Sequence, residues 1–206
     1  MKKAVCIMFV VCFMLNGLIL NAYALTVSVD AKSGPWDPVI NSQYDYGVHD
    51  QIASTLIDVS SWQNQFITIE YIDGLTNAWR YEPFIGPDGM QGAYRNDVPG
   101  SSGTYLPSVH MEKDWDVHLM ALVGAFTDEN GVIAGDGRFK IGTGMMAYVE
   151  PDFHFLSIGF NDDIFGDNQG SATIKVYAAP VPEPATLILL GTGLISCGII
   201  RRKNKK

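Results

Sequence analysis

Between two apolar ends, the chain carries no stretch with a sustained helical repeat; its hydrophobic residues alternate in short runs instead. Leu25–Ala31 (LTVSVDA), Phe66–Ile72 (FITIEYI), Phe153–Phe160 (FHFLSIGF) and Ser171–Ala178 (SATIKVYA) each alternate apolar and polar side chains. A period of two sends successive side chains to opposite faces of a strand, so each run can bury one face and wet the other. His118–Phe126 (HLMALVGAF) is nearly all apolar, as a central strand buried on both faces would be. Arg138–Gly142 (RFKIG) follows Gly135-Asp136-Gly137, a composition that predicts a hairpin turn. Gly, Asn, Asp and Pro separate the runs. Several short strands without a long helix predict an all-β fold, an antiparallel β-sandwich with the jelly roll as the expected variant. Ser33–Gln51 fits either a loop or an additional pair of strands.

The two ends are of another kind. Residues 1–24 place Lys2 and Lys3 before an apolar run that closes on Ala22-Tyr23-Ala24, the pattern of a secretory signal peptide cut after Ala24. No cysteine stands at that cut, which argues against a lipoprotein anchor. Residues 180–206 begin with a Pro-Glu-Pro triplet, continue in the apolar span Ala185–Ile200 and finish in a cluster of Arg and Lys. As a helix that span would rise about 24 Å, a little short of a hydrocarbon core of about 30 Å, and the basic tail would stay on the cytoplasmic side. The expected organisation is therefore a signal peptide (1–24), one β-sandwich domain (25–179) and a C-terminal transmembrane sorting helix with its flanks (180–206).

Removing the ends changes the charge balance. Residues 25–179 hold 7 Lys and Arg against 21 Asp and Glu, a formal charge of −14, whereas the whole chain stands at −8. Nucleic acids and anionic lipids demand a basic surface, so this balance disfavours them as partners, and no nucleic acid is expected. Cys6, Cys12 and Cys197 all lie in the ends, leaving the central part without a disulfide or a thiol nucleophile. The histidines His49, His110, His118 and His154 lack ligand spacing, and neither a zinc motif nor a G-x-S-x-G elbow occurs. Asp114 with Asp116, or Glu150 with Asp152, could be nominated as glycosidase pairs, but solvated loop carboxylates are the simpler account in so acidic a domain. No enzymatic motif stands out, and a non-enzyme is expected.

The densest polar cluster is FNDDIFGDNQGS, Phe160–Ser171. Three aspartates and two asparagines fall between Asn161 and Asn168, with no Lys or Arg among them. Such a stretch serves either as a solvated turn or as a cradle for a hard cation, which takes about six to eight oxygens from carboxylates, amides and carbonyls. Gly166 and Gly170 are expected to permit the bends. The spacing is not that of an EF-hand. On the strand map this stretch joins the last two strands at one end of the sandwich, where binding loops are commonly carried. Of the four tryptophans, Trp79 sits in apolar context and is expected in the core; Trp36 and Trp115 lie in Pro- or Asp-rich surroundings and are expected at the surface.

Two resemblances refine these expectations. The C-terminal Val181-Pro182-Glu183-Pro184, the apolar span with Gly191 and Gly193, and the basic tail together resemble the PEP-CTERM sorting signal of Gram-negative bacteria. That resemblance implies export, processing by signal peptidase and an exosortase, transient anchoring in the inner membrane and delivery to the cell surface or extracellular matrix. From Thr55 to Ala178 the chain resembles the calcium-dependent galactophilic lectins typified by PA-IL. The matching residues are Ala78-Trp79-Arg80-Tyr81, Gly86-Pro87-Asp88-Gly89, Ala121-Leu122-Val123-Gly124, Ile141-Gly142-Thr143-Gly144, Phe160-Asn161-Asp162 and Asp167-Asn168-Gln169-Gly170-Ser171. This second resemblance implies a galactose-binding-domain-like sandwich. It also implies a Ca²⁺ ion held by the carbonyl of Tyr81, both carboxylate oxygens of Asp162, the carbonyl of Ile164 and the side chains of Asp167 and Asn168. In the family the remaining coordination places take two sugar hydroxyls. The chain departs from the family in a shorter loop between Asp162 and Asp167, and in an acid at Asp167 where the family has an amide. His110 lies near the family's sugar-contact segment, but no contact residue carries over. The expected function is an exported carbohydrate-binding protein dependent on calcium, with a galactose-type sugar or extracellular polysaccharide as partner. The alternative is a structural or adhesive matrix protein whose ion only rigidifies the loop.

Overall fold

Among the described residues, eight strands carry the alternating pattern into three dimensions. They are β1 (Ala24–Asp30), β2 (Thr55–Asp58), β3 (Gln65–Asn77), β4 (Leu122–Thr127), β5 (Ile133–Lys140), β6 (Gly144–Val149), β7 (Phe155–Phe160) and β8 (Gln169–Ala178). The computed structural model describes residues 24–80, 82–90 and 117–178, except the side chain of Asp136. Residues 1–23 of the signal segment, the sorting segment, Tyr81, His110, Asp114, Trp115 and Asp116 lie outside the described residues, whereas Ala24, expected as the last residue of the signal, opens β1. The described residues belong to one compact unit.

Every strand pairing is antiparallel, in two four-stranded sheets ordered β1-β8-β3-β6 and β2-β7-β4-β5. First pairs with last, second with seventh, third with sixth and fourth with fifth, the pattern of one long hairpin wrapped around a core. That is the jelly roll expected from the sequence. Alternation sets the faces: on β8, Ala172, Ile174 and Val176 point into the core while Lys175 and Tyr177 point out. Ile67 and Ile69 of β3 meet Leu122 of β4 and Leu156, Ile158 and Phe160 of β7 in the space between the sheets. Burying each such side chain contributes roughly 1.5–3 kcal/mol.

All six residues of β4 are buried, as its apolar run predicted. One face of β4 belongs to the inter-sheet core. The other is covered by the segment after β1, which settles as a loop with a single 3₁₀ turn at Ser42–Tyr44 and one bridge from Ser33 to Ile52. This loop forms a second core of Trp36, Tyr46, Ala121, Val123, Ala125, Ile133 and Phe165. Trp36, expected at the surface, is therefore 1 % exposed: its indole N–H donates to the Tyr44 carbonyl at 2.9 Å, and its own carbonyl accepts from the Tyr46 hydroxyl at 2.6 Å. Of the neighbours that suggested exposure, Asp37 is exposed but Pro35 and Pro38 are buried with the indole. Tight backbone contact seats the segment, since a Cβ on Gly159 would lie 2.3 Å from the Gly34 carbonyl carbon.

A second correction concerns the β4–β5 hairpin. Gly135-Asp136-Gly137 is not its turn; the chain reverses at Asp128–Val132, where the Asp128 carboxylate accepts the N–H groups of Asn130 (2.8 Å) and Val132 (2.9 Å). An Asp side chain that caps its own turn competes well with a glycine pair for that role. The glycines instead make a bulge, because Ala125 pairs with Arg138 but Thr127 pairs with Ile133. Strands β2 and β6 carried too little alternation to be read beforehand: β2 spans four residues, and β6 buries only Ala147 and Val149.

Candidate functional site

The Asn161–Asn168 loop crosses from β7 in one sheet to β8 in the other, and closes one end of the sandwich. Three further segments converge there: the one after β1, the one after β3 and the one before β4. Two of them, the one after β1 and the one before β4, fasten the loop by hydrogen bonds. The Asn161 amide donates to the carbonyls of Val117 (3.3 Å) and His118 (3.0 Å), which makes it a structural pin between β7 and the approach to β4. Phe165 plugs the second core, fully buried, with its ring 5.7 Å from that of Tyr46. Asp50 accepts the N–H groups of Phe165 (2.9 Å) and Gly166 (2.8 Å) in a two-pronged clamp. Val48 N–H donates to the Asp163 carbonyl at 3.0 Å. Of the two glycines expected to bend, only Gly170 has the left-handed backbone (φ +97°). Gly166 answers to the closeness of Asp50, whose carboxylate a Cβ would meet at 2.7 Å.

Held in this way, the loop turns part of its polar set inward. Asp162 is 3 % exposed, and its Oδ1 accepts the N–H of Asp163 (2.7 Å) and of Ile164 (3.4 Å). Burial pushes its carboxyl up to about 7 and Asp163 adds repulsion, against the lowering effect of those N–H groups and of the Asn168 side chain. Asn168 is fully buried; its Nδ2 donates to the Ala31 carbonyl at 3.1 Å, and its Oδ1 has no hydrogen-bond donor. An acceptor buried without a donor carries a desolvation penalty of about 1–3 kcal/mol, which a cation in contact would remove. Asn77 is the residue that sequence reasoning missed: its Nδ2 faces the Glu82 carbonyl at 3.4 Å, and its buried Oδ1 also lacks a donor. Its only sequence signal was an amide at the position where the alternation of β3 stops.

Asp162, Ile164 and Asp167 line one cavity of about 240 Å³, together with Trp79, Glu82 and Asp163. Asp167 and Asn168 line a second, of about 370 Å³, with Lys32, Trp79, Arg80 and Gln169. The two share Trp79 and Asp167. The structure thus brings four of the five residues of the expected calcium cage to one end of the molecule; the fifth, Tyr81, lies outside the described residues. Among the described residues, no three His, Cys, Asp or Glu side chains stand together closely enough to hold a metal. An ion here would therefore draw on amide and carbonyl oxygens beside the carboxylates, the mixture that hard cations accept.

Trp79, expected in the core, is 49 % exposed at the rim of both cavities. The reason is local: β3 ends at Asn77, and the chain leaves the sheet until Ile85 returns to pair with Thr76. The apolar neighbours of Trp79 in sequence thus belong to an excursion and not to a strand. Glu150 and Asp152 occupy the β6–β7 turn, at the far end of the sandwich. A larger cavity of about 410 Å³ lies under Val39, Ile40, Ile52 and Leu56, apart from the acidic loop.

Fold and loop define a jelly-roll sandwich that presents an acidic, amide-bearing loop at one end. Residues 180–203 match the PEP-CTERM protein-sorting motif, which marks the chain as an exported protein. The structure is similar to the EclA N-terminal domain, a PllA-like lectin, with 15% identity over 75% of this chain and 95% of that one and a TM-score of 0.40. No curated protein sequence matches the chain.

Proposed function

We propose that this exported protein is a calcium-dependent carbohydrate-binding protein and not an enzyme. The ion is held by Asp162, Asp167, Asn168 and the carbonyls of Tyr81 and Ile164, and its remaining coordination places take a pair of sugar hydroxyls. One observation carries the reading: a nearly buried carboxylate, Asp162, stands in the same loop as a fully buried amide, Asn168, whose oxygen has no donor. Oxygens so arranged are stabilised by a divalent cation, which offsets the desolvation of both. Asp50 and Phe165 support it by holding the loop in place before any ion arrives. The ordered motifs that resemble galactophilic lectins supply the hydroxyl-pair chemistry. The protein acts at the cell surface or in the extracellular matrix, after processing by signal peptidase and exosortase.

Isothermal titration of Ca²⁺ into chelator-treated protein, followed by a glycan array with and without chelator, tests the proposal. Calcium heat and calcium-dependent glycan signals are expected. Asp162→Ala should abolish the calcium heat and remove the rise in melting temperature that calcium gives the parent protein. Calcium-raised stability with an empty array would favour the structural, ion-stiffened matrix protein instead. An absence of calcium heat in the parent would reject both.

A further inference from the structure

We infer that the cavity beside the ion loop takes an acidic sugar, a uronate, with its ring against Trp79 and its carboxylate met by Lys32 and Arg80. The inference rests on the carbohydrate-binding reading and specifies its ligand class. Residues 25–179 carry only 7 basic side chains against 21 acidic ones. Two of those seven, Lys32 and Arg80, line this one cavity. Lys32 comes from the end of β1 and Arg80 from the excursion after β3, so only the fold brings them together. A surface at −14 repels anions in general; a paired Lys and Arg make one point on it where a carboxylate is attracted. The guanidinium offers a planar fork that matches a carboxylate, and the ammonium adds a point charge.

The remaining walls suit a pyranose. Trp79 presents a half-exposed indole, broad enough for the apolar face of a sugar ring. Asp167 and Asn168 line the same cavity, and the exposed Asp167 carboxylate can accept from the hydroxyls of a ring seated there. A volume of about 370 Å³ falls within the usual range of small-ligand sites, about 300–1,000 Å³.

The test compares D-galacturonate with D-galactose by ligand-observed NMR titration, using the full chain in detergent at millimolar Ca²⁺. Galacturonate should bind about tenfold more tightly, the effect of one charge-assisted contact. The double variant K32Q/R80Q should lower galacturonate affinity to about that of galactose. Trp79→Ala should weaken both sugars. Equal affinity for the two sugars in the parent, or a uronate preference that survives K32Q/R80Q, would overturn the inference and leave the calcium-dependent reading standing. Trp79→Ala without effect on either sugar would overturn the placement of the ring. Binding of neither sugar, together with an empty glycan array, would reject the carbohydrate reading and this inference with it.

Discussion

The chemistry of Asp162 follows from its burial. Its folded value of about 7 stands above the ordinary 3.8 of an Asp carboxyl. Between those values the folded protein binds a proton there and the unfolded chain does not, so this group favours folding at low pH. That advantage is present in full below about pH 4 and is lost as pH rises to about 7. Chelator-treated protein should therefore melt at a higher temperature at pH 4.5 than at pH 7.5, and scanning calorimetry in EDTA would show it. Asp162→Asn, which removes the titration, should flatten the difference. In the proposed calcium site the ion displaces the same proton, so its apparent affinity should fall about tenfold per pH unit below about pH 7. A dissociation constant that stays flat from pH 7.5 to pH 5.5 would exclude Asp162 from the ion's ligands. Asp162, Asp167 and Asn168 were legible in the sequence because clustering of oxygen donors is a local property. The inward turn of Asp162 and Asn168, against the exposure of Asp167, was not legible, because burial depends on what packs against the loop.

At the scale of the element, the loop owes its shape to a segment whose own structure was ambiguous in sequence. Asp50 reaches across 115 positions to the Phe165 N–H. Without that clamp the loop keeps Phe165 as its anchor but loses two charge-assisted hydrogen bonds, worth about 1–2 kcal/mol together in this partly exposed setting. Asp50→Ala should lower the melting temperature by several degrees and weaken calcium about tenfold, through a cage no longer held ready. Differential scanning fluorimetry and calcium titration would measure both; an unchanged calcium affinity would mean that the ion orders the loop unaided. The same dependence on partners explains the β4–β5 hairpin. Gly135-Asp136-Gly137 has turn composition, but the Asp128 side chain closes a turn first and leaves the glycines to bulge. Turn composition shows that the chain can bend at both places, and the pairing of β5 with β4 decides which of them becomes the hairpin.

The wrapped-ribbon topology orients the whole domain. Ala24 pairs with Tyr177, so both ends of the sandwich unit leave from one side, while Asp30 and Ser171 pair at the other side, beside the ion loop. The Asn161–Asn168 loop therefore lies at the end of the sandwich opposite the Ala24–Tyr177 pair. In a variant whose three native cysteines are serine, a bulky maleimide label on Ala178→Cys should leave calcium affinity within about twofold of the unlabelled protein, since distant sites act independently. The same label on Ile164→Cys, half-exposed in the cavity that Asp162 lines, should block binding; equal effects from both positions would contradict this placement of the site. The sequence alone determined the strands with clear alternation, the all-β class, the buried central strand and the oxygen-rich loop, because alternation and composition are written residue by residue along the chain. Only the tertiary structure decided that Trp36 is covered and Trp79 uncovered, that Asp50 grips the loop, and that Lys32 and Arg80 line one cavity. Each of those outcomes depends on which distant segment lies against which face. That is settled by the pairing of first strand with last and second with seventh, and no local pattern encodes it.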